Sequence, residues 1–341
     1  MPEAQAGPQP RGGPAQCPAG RRAALRAAPR PVGEGGRVSP RRLILGTRGS
    51  PLALAQSRRF AEELKAAHPG LEVDFQTITT SGDRIQNRFL AEVGGKGLFV
   101  KEIEDALGIG GIDLAVHSLK DMPAVLPEGL EIACYPRRKS PRDVMIAREG
   151  SDWPALPPGA KVGTSSLRRR LQLGRLRPDL NFELLRGNID TRLRKLEAGD
   201  YDAIVLARAG MERLGLDVAR AVDLPIVPAP GQGTLAIEIR SADRELRELL
   251  AALHDIETER VSMAERRVMR ELGGSCNLPL GVFGEIAGGA LRLQAFLASP
   301  DGAKYIEVES EGSAEAPLEA ADLLVEEIWR RGGRDILAAI G

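Results

Sequence analysis

The chain has few of the residues that mark several large classes of protein. Only 4% of its 341 residues are aromatic, and Cys and His each occur three times. Three widely spaced Cys residues argue against a disulfide framework and fit a reducing compartment. The three His residues show no metal-ligand spacing, so we predict no metal site. No apolar run is long enough to cross a bilayer, so we predict no membrane partner.

An excess of charge of either sign is also absent. The chain has 47 basic and 47 acidic residues, and its formal net charge is zero. Zero net charge and few aromatic residues disfavour nucleic acid or polyphosphate as a partner. A hydrophobic content of 43% with 28% charged residues is ordinary for a globular protein. The length suggests two or three domains.

Large apolar residues are nearly missing from residues 1–42, which hold eight Arg and only two Glu. Such a segment cannot bury enough surface to offset the entropy lost on ordering. We therefore expect residues 1–41 to be a disordered N-terminal extension, or the product of a start site placed too early. An Arg-rich, acid-poor start is also typical of organelle transit peptides. The expected location is cytoplasmic, with an organelle stroma as the alternative.

Strand and helix signals alternate through the first part of the chain. Leu43–Leu45 is an apolar run typical of a buried strand, and Ser50-Pro51 then supplies a cap for a helix that runs to about Ala67. Residues 71–75 alternate between apolar and polar, as a strand does. The glycines at 94–97 precede a second helix, and residues 113–116 read as another strand. This alternation indicates an α/β fold with a largely parallel sheet.

The alternation restarts after a linker at residues 136–141. A strand is predicted over Asn181–Leu185, and the turn Gly163-Thr-Ser-Ser-Leu167 resembles the turn Gly46-Thr-Arg-Gly-Ser50. We predict two similar doubly wound α/β domains that face a cleft, as in periplasmic binding proteins, with ligands beyond the carboxyl ends of the strands. A helix from Ile256, alternating strands and a last helix predict a small α+β C-terminal domain.

Two residues stand out for chemistry. Asp121 directly follows a predicted strand, where carboxylates are often functional, although spacing alone also fits a solvated turn residue. Cys276 lies in Gly273-Gly-Ser-Cys-Asn277, and the glycines beside it predict an accessible thiol. No motif of the chain supplies a His partner that would activate this thiol. Cys134, at an alternating strand position, is expected to be a buried filler. Cys17 needs no role.

Two basic turns offer sites for carboxylates. The segments Gly163–Arg170 and Arg186–Arg192 are rich in Arg, whose planar group binds a carboxylate in bidentate fashion. Ser165 and Ser166 would open a helix whose free N–H groups also favour anions. A nucleotide-binding interpretation is weak, because the full phosphate-loop spacing is absent.

Five segments together closely resemble the porphobilinogen deaminase (hydroxymethylbilane synthase) family. They are residues 46–54, 93–102, 115–121, 228–233 and 273–279, the two Arg-rich turns 163–170 and 186–192 match as well, and the resemblance runs from about Leu43 to the C-terminus. It implies that the chain returns to its first domain near residues 231–255. The implied first domain is 42–137 with 231–255, and it holds the catalytic Asp. The second is 138–230, which is Arg-rich and binds anions. The third is 256–341, which holds the Cys loop.

The resemblance also implies a reaction. Four porphobilinogen molecules would be deaminated and joined head to tail on a dipyrromethane cofactor held by a thioether bond to Cys276, and hydroxymethylbilane would be released by water. Asp121 and Arg48 would be catalytic. The implied cofactor-binding residues are Lys120, Ser165, Ser166, Arg168, Arg169 and Asn188, and the implied substrate-binding residues are Arg48, Lys96, Arg186 and Arg192.

A different class of protein fits part of the same pattern. A two-domain anion-binding protein with a hinged cleft would use the two α/β units and the Arg turns, but it would need neither Asp121 nor Cys276. An adduct on a Cys would separate the two classes. The protein is expected to act as a monomer on the small molecule porphobilinogen.

Overall fold

The computed structural model describes residues 42–84, 100–150, 152–273 and 278–339, and these residues form three β-sheets with helices packed on them. The predicted extension 1–41 lies outside the described residues. The strands are β1 Arg42–Arg48, β2 Glu72–Ile78, β3 Leu114–Ser118, β4 Leu130–Cys134, β5 Asp143–Ala147, β6 Lys161–Gly163, β7 Asn181–Glu183, β8 Ala203–Ala207, β9 Val222–Asp223, β10 Leu235–Arg240, β11 Leu280–Ala287, β12 Ala290–Ala298 and β13 Tyr305–Ser313. The helices are α1 Pro51–Ala67, α2 Ser81–Arg84, α3 Lys101–Gly108, α4 Leu167–Leu176, α5 Ile189–Glu197, α6 Arg208–Arg213, α7 Arg244–Leu250, α8 Ile256–Glu271, α9 Pro317–Arg330 and α10 Gly333–Ala338.

The first sheet has the strand order β2-β1-β3-β10-β4. Strand β1 pairs in parallel with β2 and β3, whereas β10 runs antiparallel to both β3 and β4. Four strands therefore run in one direction and β10 alone opposes them. The predicted largely parallel sheet is confirmed, and its single antiparallel strand is the one that arrives last in the chain.

The second sheet repeats this plan in the order β7-β6-β8-β5-β9. Strand β6 pairs in parallel with β7 and β8, and β5 runs antiparallel to β8 and β9. Strands β1 and β6 thus hold equivalent second positions, and each ends in one of the two similar turns. The prediction of two similar α/β units is confirmed, and it has a structural basis in those turns.

Helix α1 has the bounds that the sequence predicts. The Ser50 Oγ accepts a hydrogen bond from the Ala53 N–H at 3.3 Å, and Pro51 occupies the first turn, where its missing N–H is not needed. The helix ends at Ala67, and Gly70 follows with a φ of +89°. Phe60 and Leu64, one turn apart, are buried against the first sheet. Capping and the apolar stripe therefore agree on one helix.

The third sheet has the order β11-β12-β13, and all its strands are antiparallel. Helices α8 and α9 pack together against one face of it. Their apolar stripes, which include Val261, Val268, Leu324 and Ile328, form one buried cluster with the inward side chains of the strands. This is the predicted small C-terminal α+β unit.

Two connections join the first two sheets, and one carboxylate of the third unit accepts hydrogen bonds from both. Residues 135–142 lead from β4 to β5, and residues 224–234 return from β9 to β10. The fully buried Glu265 of α8 receives Arg138 of the first connection at 2.7 Å and the N–H of Gly231 of the second at 2.6 Å. It also accepts the Gly284 N–H at 2.8 Å. Glu265 thus joins all three units, while the domain boundaries themselves stay predictions.

The two connections approach each other closely at Gly233. Its φ is +89°, and a Cβ built there would lie 2.5 Å from the carbonyl oxygen of Lys139. Gly129 has a similar φ of +84° but open space around it. We therefore expect Gly129→Ala to lower the free energy of unfolding by ~1–2 kcal/mol, through the strained backbone alone. Gly233→Ala should lower it by roughly 2–5 kcal/mol, because the two connections must also move apart.

Chemical denaturation of the two variants measures this difference directly, since the positive φ is common to both and only the contact differs. Equal losses in the free energy of unfolding would show that the close approach contributes nothing.

Candidate active site

Asp121 lies just beyond the carboxyl end of β3. The strand ends at Ser118, and Leu119–Asp121 form a single 3-10 turn. Leu119 is buried under the turn, whereas Asp121 is exposed. The turn is therefore fixed by its apolar residue and presents its carboxylate to solvent.

Asp121 shares a small pocket with Arg48, Ser50, Gln56 and His117. The pocket encloses about 60 Å³, which is roughly the volume of two water molecules. Arg48 is the last residue of β1, which pairs in parallel with β3. The carboxyl ends of two adjacent strands thus bring together the two residues that the sequence analysis expects to be catalytic.

Lys120 points from the same turn toward the second connection. Its Nζ donates to Gln232 Oε1 at 3.4 Å. Burial, together with the nearby guanidinium groups of Arg169 and Arg168, lowers the pKa of Lys120 to about 8, against the opposing effects of Asp121 and Asp143. Lys120 is therefore charged at neutral pH but close to its titration range.

Arg168 and Arg169 lie in the first turn of α4 and are almost completely buried. Both contact the fully buried Asp143, Arg168 through Nη1 at 2.8 Å and Arg169 through Nη2 at 2.7 Å and Nε at 2.9 Å. Their remaining contacts are to the carbonyl oxygens of Val227 and Val205. Burial alone would raise the pKa of Asp143, but the two guanidinium groups outweigh it and hold that pKa well below its usual range.

Ser166 caps helix α4. Its Oγ accepts the Arg169 N–H at 3.4 Å, and its own N–H donates to Thr164 Oγ1 at 3.2 Å. Ser165, beside it, is exposed at the start of the helix. The first turn of α4 therefore combines an open N-terminus with two arginines, an arrangement that favours anions.

The second basic turn lies at the start of α5. Asn188 caps the helix by accepting the Thr191 N–H at 2.9 Å, and half-buried Arg186 precedes it in the loop after β7. Arg192 is also half-buried and donates to the Gly187 carbonyl oxygen at 2.9 Å. Burial, with Arg169 nearby, lowers the pKa of Arg192 to about 10, and none of the residues that the structure describes gives it a carboxylate partner.

Some of the predicted site residues lie outside the described residues, namely Lys96 and Cys276, as does Cys17. Cys134 is described and is completely buried, and burial raises the pKa of its thiol to about 12. The prediction that Cys134 is a buried filler is therefore confirmed.

Two residues of the cluster, Asp143 and Gln232, were missed by the sequence analysis. Gln232 Nε2 donates to Asp143 Oδ1 at 3.0 Å and to the Pro141 carbonyl oxygen at 2.7 Å. A lone acidic residue at the head of the apolar run Val144–Ala147 is the signal that points to Asp143, because a charge buried at a strand start needs a cationic partner.

Neither a metal centre nor a membrane span is found in the part of the chain that the structure describes. No group of three or more His, Cys, Asp and Glu side chains there is placed to hold a metal ion. No helix within 42–84, 100–150, 152–273 or 278–339 has both the length and the apolar character that a membrane crossing requires.

The described residues combine an α/β fold with an exposed carboxylate and a buried group of cations near the connections between the first two sheets. Two family models match the chain, "Porphobilinogen deaminase, dipyromethane cofactor binding domain" over residues 43–248 and "Porphobilinogen deaminase, C-terminal domain" over residues 260–329. The chain belongs to the porphobilinogen deaminase family, whose members are enzymes of tetrapyrrole biosynthesis that carry a dipyrromethane cofactor.

Similar proteins cover nearly the whole described chain. A porphobilinogen deaminase of Roseiflexus sp. (strain RS-1) is 48% identical over 299 residues, which are 87% of this chain and 98% of the relative. One from Sorangium cellulosum (strain So ce56) is 51% identical over 274 residues, 79% of this chain and 91% of the relative. The solved methionine-binding protein MetQ covers 64% of this chain and 93% of its own at 14% identity, but its TM-score of 0.40 is too low to support an argument.

Proposed function

We propose that the protein is a transferase that deaminates four porphobilinogen molecules, joins them head to tail on a dipyrromethane primer bound to Cys276, and releases hydroxymethylbilane. The observation that carries this proposal is the exposed Asp121 carboxylate, which shares a pocket with Arg48 beyond the carboxyl ends of β1 and β3 and follows Lys120 in the same turn. Family membership supplies the substrate and the cofactor, and this pocket supplies groups that suit both.

Asp121 has the chemistry that deamination requires. Loss of ammonia breaks the C–N bond of porphobilinogen and leaves a positive charge spread over the pyrrole. An exposed carboxylate next to the ring N–H stabilises that charge as it develops. The same carboxylate exchanges protons with the departing amine and takes the proton that the coupled ring loses when the new C–C bond is complete.

The cations suit the carboxylates of the pyrroles. Lys120, Arg168 and Arg169 carry three positive charges against two negative charges on Asp121 and Asp143, so the cluster keeps one positive charge in a partly dry site. Each pyrrole brings an acetate and a propionate, and a dipyrromethane brings two of each. The positive charges of these side chains outnumber the negative charges beside them, and the N-terminus of α4 also favours anions. The cluster therefore suits a cofactor that carries several carboxylates.

The remaining assignments follow from the same proposal. When bound, the dipyrromethane supplies the pyrrole carbon to which the first substrate is joined. We assign Ser165, Ser166 and Asn188 to binding its carboxylates through hydroxyl and amide groups, and Lys96, Arg186 and Arg192 to the growing chain. The protein acts as a monomer in the cytoplasm.

The test is to incubate the purified protein with porphobilinogen and to measure ammonia and tetrapyrrole together. We expect one ammonia released for each porphobilinogen consumed, and one linear tetrapyrrole for every four. A hinged anion-binding protein would bind porphobilinogen without releasing ammonia, and that result would overturn the proposal.

Arg192 offers a specific prediction. It is half-buried and has no carboxylate partner among the described residues, so Arg192→Leu removes a charge without leaving an opposite one unpaired. A lost charge-assisted contact of ~1.5–3 kcal/mol corresponds to a roughly 10- to 150-fold fall in the rate of the elongation step that uses it. Ion-exchange separation of enzyme–intermediate complexes should show one complex accumulating.

The matched control is Arg194→Leu on the same helix. Arg194 is exposed, and its side chain donates a hydrogen bond to Thr191 Oγ1 at 3.2 Å. It should give the wild-type distribution of complexes. If Arg192→Leu also gave that distribution, the second basic turn would have no part in elongation.

A further inference from the structure

Gln232 lies in the second connection, next to the turn Leu119–Asp121, which we call the catalytic turn. Only 1% of Gln232 is exposed. Its Nε2 donates to the Pro141 carbonyl oxygen at 2.7 Å and to Asp143 Oδ1 at 3.0 Å. Its Oε1 accepts from Lys120 Nζ at 3.4 Å. These partners fix the orientation of the amide, because its N–H groups face two acceptors and its oxygen faces an ammonium group.

Asp143 continues the same chain of contacts into the second sheet. It is the first residue of β5, is fully buried, and receives Arg168, Arg169 and Gln232. One carboxylate therefore pairs with both arginines of the second sheet and is linked, through the Gln232 amide, to the lysine next to Asp121 in the first sheet. The contacts run without a gap from helix α4 to the catalytic turn.

We infer that Gln232 and Asp143 are positioning residues that keep Lys120 protonated and directed into the site, so that the Arg168–Arg169 pair and the Asp121 turn act as one anion-binding unit. The part of this inference that concerns anions rests on the proposed function. The coupling of Gln232 and Asp143 to Lys120 rests on the geometry alone.

The balance at Lys120 explains why such support matters. Burial, Arg169 and Arg168 favour its neutral form, and Asp121 and Asp143 favour its charged form, which leaves its pKa at about 8. Gln232 Oε1 accepts a hydrogen bond from the charged form and so stabilises it. Loss of this bond, or of the negative charge on Asp143, must lower the pKa of Lys120. Lys120 then loses its charge at a lower pH.

Two variants and one control separate this role from a merely structural one. Gln232→Met keeps the side-chain volume and every charge but removes all three hydrogen bonds. Asp143→Asn removes the negative charge and leaves two buried guanidinium groups without a counter-ion. If this variant does not fold, Gln232→Met alone tests the inference. Asp223→Asn is the control. Asp223 lies in β9, the strand next to β5, and pairs with Arg208 at the start of α6 and not with Lys120.

The measurement is the pKa of Lys120 itself in the holoenzyme. A trace amine-acylating reagent is applied across pH 6–11, and the labelling of the Lys120 peptide is read by mass spectrometry. We expect the pKa to fall by roughly one unit in Gln232→Met and by more in Asp143→Asn, and to stay unchanged in Asp223→Asn. An unchanged Lys120 pKa in folded Gln232→Met would overturn the inference.

Turnover measured on the same variants tests the proposed function separately. The alkaline limb of kcat/KM for porphobilinogen should move to lower pH together with the Lys120 pKa. If the pKa fell while this limb stayed in place, the coupling would stand, and the assignment of Lys120 to anion binding would be wrong.

Discussion

Cys276→Ala is expected to give a folded, colourless protein without turnover. The wild-type protein should exceed its sequence mass of 36.6 kDa by one dipyrromethane, and the variant should not. The physical reason is that the only thiol among the described residues, that of Cys134, cannot take the place of Cys276 as the anchor. Cys134 is completely buried, and its thiol pKa of about 12 keeps it protonated and unreactive.

Cys134→Ser is the matched control for this experiment. It places a hydroxyl group in the core of the first sheet, which costs ~1–3 kcal/mol in the free energy of unfolding. The mass adduct and the turnover per folded molecule should stay as in the wild type. Peptide mapping of active wild-type enzyme that found Cys276 unmodified would contradict the assignment of the anchor.

Asp121→Asn is expected to keep the fold and the bound cofactor and to lose turnover by roughly 10²- to 10⁴-fold, the range for a lost acid–base or charge-stabilising group. Stability should change little, because Asp121 is exposed and the turn is held by buried Leu119. The amide is nearly the same shape as the carboxylate, so the loss would report charge and proton transfer. Single-turnover ammonia release measures it.

Two further variants fix the interpretation. Asp121→Glu keeps the charge but displaces it, and should retain more turnover than the Asn variant. Asp74→Asn removes an exposed carboxylate of the same sheet that pairs with Arg42, and should have no effect on turnover. Near-normal ammonia release by Asp121→Asn would remove this carboxylate from the mechanism.

Local signals predicted the parts of the fold that are determined locally. Helix α1 was predicted over residues 51–67 because its cap, its first-turn proline and the His68-Pro69-Gly70 stop are all contiguous in the chain. Strand β7 was predicted two residues too long. It ends at Glu183 because its partner β6 ends at Gly163, and pairing, which hydropathy does not record, sets its length.

Strand direction was harder to predict, because an antiparallel strand within a mostly parallel sheet has the same apolar pattern as its neighbours. Strand β10 is buried on both faces whichever way it runs. The return of the chain to the first sheet came from the family resemblance and not from periodicity. The structure supports it through the pairing of Ala115 with Glu238.

The candidate site was predicted as a set of cations, without the buried carboxylate that offsets part of their charge. Arg168 and Arg169 were identified by their motif as carboxylate-binding residues. The structure places them on Asp143, which lies 25 residues earlier than Arg168 and belongs to no motif. Sequence shows which side chains are available, whereas tertiary contacts decide which of their charges are already compensated.

The strand order also dictates the sequence of events during folding. The second sheet is built from one contiguous stretch, residues 143–223, and can form as soon as that stretch has been synthesised. The first sheet cannot close, because β10 lies between β3 and β4 and is made more than 100 residues after both. Closing so long a loop is slow, and β4 has no neighbouring strand until it happens. Of the two α/β sheets, the one that carries Asp121 is thus completed second, although its first strands precede those of the other sheet in the chain.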